Sequence, residues 1–282
     1  ILIGFFFVLT AFRTGKPAYI LYSQSGETVE YSAMVRQLLD ADIILFGELH
    51  HNPISHWLEL ELTKDLYRAE KENLILGAEM FETDNQLILN EYLDSLISPN
   101  RFEAEARLWP NYRTDYKPLV EFARKKGLKF VATNIPRRYA ALVGDEGFRG
   151  LEKLSGEAMD YIPPLPVPYD PELESYKNLL KMKGTHENVD ENFPKAQAVK
   201  DATMAHFILQ NWAHGNLFLH FNGAYHSDNY ASINWYLQQY NPDVRIATIT
   251  TVSQEDVTQL AEQNTGIADF VICVDEDMTK TR

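Results

Sequence analysis

Two Gly-x-x-His tetrads, Gly47-Glu-Leu-His50 and Gly223-Ala-Tyr-His226, each follow directly on a run of apolar residues. Glycine lets a chain leave a strand through a conformation closed to other residues, and the histidine three places on can then turn back over the strand end. Glu48 lies inside the first tetrad, and Glu79 closes another apolar run, Leu74-Ile-Leu-Gly-Ala-Glu79. Two imidazoles and two carboxylates brought together there would ligate a divalent metal or run general acid and base chemistry. Glu48, His50, Glu79 and His226 are therefore both the candidate catalytic set and the candidate metal set. His56 falls in the first turn of a helix opened by Pro53 and faces the same edge, so it is a further candidate ligand. Glu59 and Glu61 read as a solvated face or packing boundary. His186, His206, His214 and His220 have no such context and read as surface, core or helix-end histidines.

The elements that must position these groups alternate. A helical stripe over Tyr31 to Asp40 precedes the apolar strand Asp42 to Gly47, and a helix from Pro53 carries Trp57, Leu58, Leu62 and Leu66. Leu74 to Glu79 is the next strand. Thr83 with Gln86 has the spacing of a capping box for a helix to about Leu96. A helix near Tyr116 to Lys126 leads to the strand Leu128 to Thr133. Alternation of this kind gives an α/β fold with a central, mainly parallel sheet flanked by helices, and ligands bind beyond the carboxyl ends of such strands.

Beyond Val143 the pattern breaks at Pro163, Pro164, Pro166, Pro168 and Pro171, which cannot be strand or helix interior. Residues 143–194 read as a small helical cap insertion with short helices around Gly150 to Met159 and Pro171 to Met182. The α/β core is then 16–142 and 195–282. It resumes with a helix Ala196 to Ala213, the strands Leu217 to Phe221, Val244 to Ile249 and Phe270 to Val274, and helices Asp228 to Gln239 and Gln254 to Glu262.

Composition narrows the function classes. The 282 residues carry 26 Lys and Arg against 40 Asp and Glu, a net charge of −14, which repels phosphate backbones and argues against nucleic acid as a partner. The single cysteine, Cys273, excludes an internal disulfide and a cysteine-based metal cluster, and its apolar strand context predicts burial. Ile1 to Phe12 is apolar but shorter than the roughly 20 residues a membrane helix needs, and fits a signal-peptide core. Residues 1–15 are accordingly expected to be a signal-peptide remnant, with no transmembrane segment. Neither a Gly-x-Ser-x-Gly elbow nor a phosphate-binding glycine loop is present, which weakens serine-hydrolase and nucleotide-binding readings.

Five segments together carry a resemblance: Gly47 to His56, Glu79 to Gln86, Asn134-Ile-Pro-Arg-Arg138, Gln197 to Ala205 and Gly223 to His226. In this order they resemble the ChaN-like family of iron-regulated haem-binding proteins, related to the erythromycin esterases and the Tiki/TraB group. The resemblance covers about Ala18 to Val274. It implies an exported, extracytoplasmic bacterial protein of iron and haem acquisition, with an α/β core and helical cap, that binds haem and pairs two copies through it as a homodimer. Members are often lipoproteins; no lipobox cysteine follows the apolar run, so a lipid anchor is not supported by these residues.

Haem needs an apolar slot, an axial ligand and partners for two propionates. Tyr112, Tyr116 and Tyr176 are candidate ligands, since tyrosinate suits ferric iron, with Tyr161, Tyr169 and Met182 as further cap material. Arg137 and Arg138 are candidate propionate partners. The strand-end His and Glu set resembles an active or metal site more than a haem pocket. The competing expectation is a metal-dependent hydrolase, esterase or peptidase-like, in which His50 or His226 is the base or ligand and Glu48 and Glu79 orient water or metal.

Overall fold

The computed structural model describes residues 15–181 and 191–281. The strands are β1 (Tyr19–Ser23), β2 (Ile43–Glu48), β3 (Leu74–Glu82), β4 (Phe130–Asn134), β5 (Leu217–Gly223), β6 (Ile246–Gln254) and β7 (Phe270–Asp275). They form one sheet in the order β1-β7-β6-β2-β5-β3-β4, with β1 antiparallel to β7 and every other pair parallel. The α/β fold expected from the alternation is therefore present. The short antiparallel edge strand β1 was not expected. Its Leu21 and Tyr22 are buried, but its pattern is too brief to separate from a loop.

Strand pleating decides what each face receives. On β2, Ile44 and Phe46 join one core with Leu74, Leu76, Leu217, Leu219 and Phe221, while Ile43 and Leu45 join another with Ile75 and Phe218. The first face is covered by α1 (Tyr31–Leu38), α2 (Pro53–Glu70), α3 (Gln86–Leu93), α4 (Pro99–Glu105), α5 (Tyr112–Asp115) and α6 (Lys117–Lys126). The second is covered by α7 (Arg137–Glu146) and, beyond the short α8 (Gly156–Met159), by α9 (Glu174–Lys181), α10 (Phe193–Asn211) and α11 (Ile233–Tyr240). Leu151, Ile162, Val167, Tyr176 and Leu179 bring the proline-rich stretch into this second core. Cys273 is buried in β7 as expected.

Two expected local features differ. Thr83 and Gln86 form no capping box: the Thr83 hydroxyl donates to the Tyr161 carbonyl at 2.8 Å, and the Gln86 amide bridges the Ala132 N–H and the Phe130 carbonyl of β4. The helix expected over Gln254 to Glu262 is absent, because β6 runs on to Gln254 in register with Asp275 of β7. The Gln254 side chain then organises the following loop, accepting from the Ala261 N–H at 3.2 Å and donating to the Gln259 carbonyl at 2.7 Å. The expected signal-peptide residues 1–14, together with Met182 and His186, lie outside the described residues.

Candidate functional site

The carboxyl ends of β2 and β5 are neighbours in exact pairing, Gly47 opposite Asn222 and Glu48 opposite Gly223. Neither tetrad glycine uses a left-handed φ; Gly223 sits at φ −57° and ψ 139°. Their value is room. A Cβ on Gly223 would stand 2.8 Å from the His50 ring, and one on Gly47 would stand 2.9 Å from the Ala224 Cα. The expected reason for glycine is thus replaced by close packing of one strand end on the other.

Helix α2 starts where the Asn52 side chain accepts from the Ile54 and Ser55 amides at 3.0 and 3.1 Å, with Pro53 as its first residue. That start turns Ser55, His56, Glu59 and Thr63 inward. Glu59 is fully buried, contrary to the solvated face expected of it. His56 lies between two carboxylates, its Nδ1 3.2 Å from Glu59 Oε2 and 3.4 Å from Glu48 Oε2. Its Nε2 lies 3.2 Å from the His50 carbonyl and 3.4 Å from Asp115 Oδ2. Glu48 Oε1 accepts from His50 Nδ1 at 2.6 Å and from the Tyr116 hydroxyl at 2.7 Å. Glu48 Oε2 and Glu59 Oε1 are buried without a hydrogen-bond partner.

Burial opposes charge on His56, but Glu48 and Glu59 overcome it and hold its pKa up at about 11. Burial also pushes both carboxyls up. The hydrogen bond from His50 and the nearby His56 pull Glu48 below its ordinary value, whereas the Glu48 charge adds to burial at Glu59 and raises that carboxyl well above its own.

A second imidazole lies on the other side of Gly223. His226 Nδ1 donates to Asp201 Oδ1 at 2.5 Å and Nε2 stands 3.4 Å from Glu79 Oε1. Glu79 Oε2 accepts from the Gly223 N–H at 2.8 Å, and Asp201 Oδ2 accepts from the Tyr176 hydroxyl at 2.9 Å. Burial would lower His226, yet Glu79 and Asp201 hold it up at about 10. Burial would raise Glu79, yet His226, His50 and the Gly223 amide keep it well below its ordinary value. Asp201 is raised, chiefly by burial.

The structure therefore brings Glu48, His50, Glu79 and His226 to one sheet edge, with His50 over Gly223 linking the two clusters. It adds Glu59, Asp201 and Asp115, which reach the edge from helices. His56 and Glu59 three residues apart on one α2 face, beside Leu58 and Leu62, were the available sequence signal for Glu59. His220, read as without functional context, is a fully buried neutral group: its Nε2 lies 2.8 Å from the Thr133 hydroxyl, and burial lowers its pKa to about 4.

The three tyrosines offered for haem are core residues, and the hydroxyls of Tyr116 and Tyr176 serve the carboxylates Glu48 and Asp201. Tyr112, Tyr116 and Tyr176 are buried, with Tyr112 and Tyr116 in the first core and Tyr176 in the second. Burial pushes all three pKa values far up, reinforced at Tyr116 by Glu48 and at Tyr176 by Asp201, which disfavours tyrosinate. Arg137 and Arg138 stand apart from them on a groove of about 760 Å³ lined also by Arg107, Leu108, Trp109 and Pro110. Arg138 pairs with Asp84 at 2.5 Å and stacks on Tyr139. The Trp109 ring lies 4.9 Å from the His50 ring, whose side chain is 36% exposed, so groove and strand-end cluster adjoin.

The fold resembles that of a Campylobacter jejuni ChaN with cofacially bound haem: TM-score 0.69, 18% identity, over 90% of this chain and 96% of that one. A mutant erythromycin esterase, EreC, in its open conformation gives a TM-score of 0.54 at 10% identity, covering 93% and 98%. The chloroplastic protein RETICULATA-RELATED 5 of Arabidopsis thaliana is 31% identical over 192 residues, 64% of this chain and 26% of that protein. The chain thus spans about a quarter of the length of this curated relative. Residues 34–237 match the family described as haem-binding uptake, Tiki superfamily, ChaN. This chain belongs to the ChaN family of haem-binding uptake proteins in the Tiki superfamily.

Proposed function

We propose that this protein binds haem as cargo in the groove beside Trp109 and serves haem and iron acquisition outside the cytoplasm. The observation that carries this reading is the lining: an apolar floor of Trp109, Leu108, Pro110 and Ala106, edged by Arg107, Arg137 and Arg138. The volume of about 760 Å³ suits a cofactor-sized ligand. Exposed Arg137 and Arg138 can meet propionates with charge-assisted hydrogen bonds. The donor set fits haem at its edge through the arginines, and the Trp109 ring offers an apolar surface to its face. Tyr116, its ring 5.9 Å from that of Trp109, would then support the wall from behind.

Export rests on the apolar run Ile1 to Phe12 and on the family's description as uptake proteins. Among the described residues no helix is long and apolar enough to cross a membrane. Cofacial haem in the Campylobacter relative supports a haem-linked homodimer here as well.

Titration of the purified chain with haemin should give a saturable Soret shift, and Arg137→Ala with Arg138→Ala should weaken it about tenfold, the worth of one charge-assisted contact. Elution volume with and without haemin reads the pairing. A folded protein whose Soret band does not saturate would overturn the reading.

A further inference from the structure

We propose that Glu48, His56 and Glu59 form a buried site for one divalent first-row cation, separate from the haem groove and independent of haem. The inner atoms are ready for it. His56 Nδ1 stands 3.4 Å from Glu48 Oε2 and 3.2 Å from Glu59 Oε2, and ligand atoms of all three residues lie within 4.8 Å of one another. Tetrahedral donors at about 2.0–2.1 Å from a zinc-like ion are separated by about 3.3 Å, so the two shorter spacings are already those of a coordination polyhedron. Glu48 Oε2, one of the two oxygens beside Nδ1, is buried without a hydrogen bond, as is the second oxygen of the Glu59 carboxylate, Oε1, so an ion held by the two groups would meet oxygens that nothing else satisfies.

The outer groups are those a metal site uses to aim its ligands. His56 directs Nε2 at Asp115 Oδ2, 3.4 Å away, and at the His50 carbonyl, 3.2 Å away, which leaves Nδ1 as the ligating nitrogen. Asp115 is itself fixed by Asn111 Nδ2 at 2.7 Å and the Thr281 hydroxyl at 2.8 Å. Glu48 Oε1 is held by the Tyr116 hydroxyl and His50, which turns Oε2 inward. One imidazole and two carboxylates suit Zn²⁺, Fe²⁺ or Mn²⁺ and, with a dication and neutral histidine, sum to zero charge in the interior.

The test uses the full chain, stripped with chelator and reloaded with Zn²⁺ or Co²⁺. After gel filtration, elemental analysis should find one equivalent, and the Co²⁺ form should show the visible ligand-field bands of a protein-bound ion. Glu59→Gln should lower the affinity at least tenfold, and Asp115→Asn should lower it about 10- to 100-fold as an orienting group. Circular dichroism confirms that each variant is folded; should Glu59→Gln fail to fold, Asp115→Asn and the wild-type Co²⁺ spectrum decide. Wild type that retains no metal and shows no Co²⁺ bands would overturn the proposal. So would a metal kept by Glu59→Gln and lost by Glu79→Gln, which would place it in the strand-end set instead.

Discussion

The two clusters that His50 links across Gly223 each hold an imidazole in a similar setting and differ in one respect. His226 and His56 each lie between two buried carboxylates and are each raised well above the free value of 6.5. Around His226 both oxygens of Asp201 and the Oε2 of Glu79 are hydrogen-bonded, by the imidazole, the Tyr176 hydroxyl and the Gly223 amide, and Glu79 Oε1 has only a 3.4 Å ion-pair contact. Around His56 two carboxylate oxygens are left over. An unpartnered buried oxygen costs about 1–3 kcal/mol or more when charged, so a folded chain keeps such atoms only where something else repays them. The first cluster is thus a closed ion-pair network and the second an open one.

Removing a partner from the closed network should have the largest effect. Asp201→Ala strands an imidazolium with one carboxylate and should lower unfolding stability by about 3–5 kcal/mol in urea titrations. A loss under about 1 kcal/mol would show that the network is not charge-paired, and the contrast with His56 would collapse.

Crowding is the next lever. Gly223→Ala puts a methyl group 2.8 Å from the His50 ring, and should cost about 1–3 kcal/mol while displacing the link between the clusters. A crystal structure of the variant with His50 unmoved would remove the close-packing explanation for this glycine.

The pH profile distinguishes the charges. His226 is raised from 6.5 to about 10, so its contribution is complete below pH 6.5 and is lost as pH climbs through 10. His56, raised to about 11, adds to the same alkaline limb. Glu79 is lowered from 4.5, so its contribution is present above pH 4.5 and lost as pH falls. Stability should therefore peak between about pH 4.5 and 6.5, and His226→Gln should flatten the alkaline limb without abolishing it. An unchanged limb in that variant would mean that His226 is neutral in the folded state.

The smallest effects come from single hydroxyls. Tyr176→Phe and Tyr116→Phe each remove one donor to a carboxylate and should cost about 1–3 kcal/mol in thermal unfolding. Only Tyr116→Phe should also weaken Zn²⁺ retention, because only Tyr116 orients Glu48. Equal effects on retention would erase the difference between the two clusters.

Much of the scaffold could be read without coordinates because each strand of a covered parallel sheet is a short apolar run, as Ile43 to Phe46 and Leu217 to Phe221 are. The strand-end residues Glu48, His50, Glu79 and His226 were legible because they follow such runs directly. Gln254 misled, since a strand end and a helix start look alike until β7 is known to pair with it. Glu59 misled because a glutamate in a helix is usually solvated, and only His56, 3.2 Å away, makes its inward turn tolerable.

The sequence by itself determined the alternation of strands and helices, the polar strand ends and the family signature, because all are local patterns of residue type. Tertiary structure alone decided the partners. Asp201 and Asp115 come from helices far along the chain, and the glycines serve strand-to-strand packing rather than an unusual backbone. Which carboxylate is protonated, paired or left open depends on the summed field of groups joined by folding, and no spacing in the chain encodes that distance.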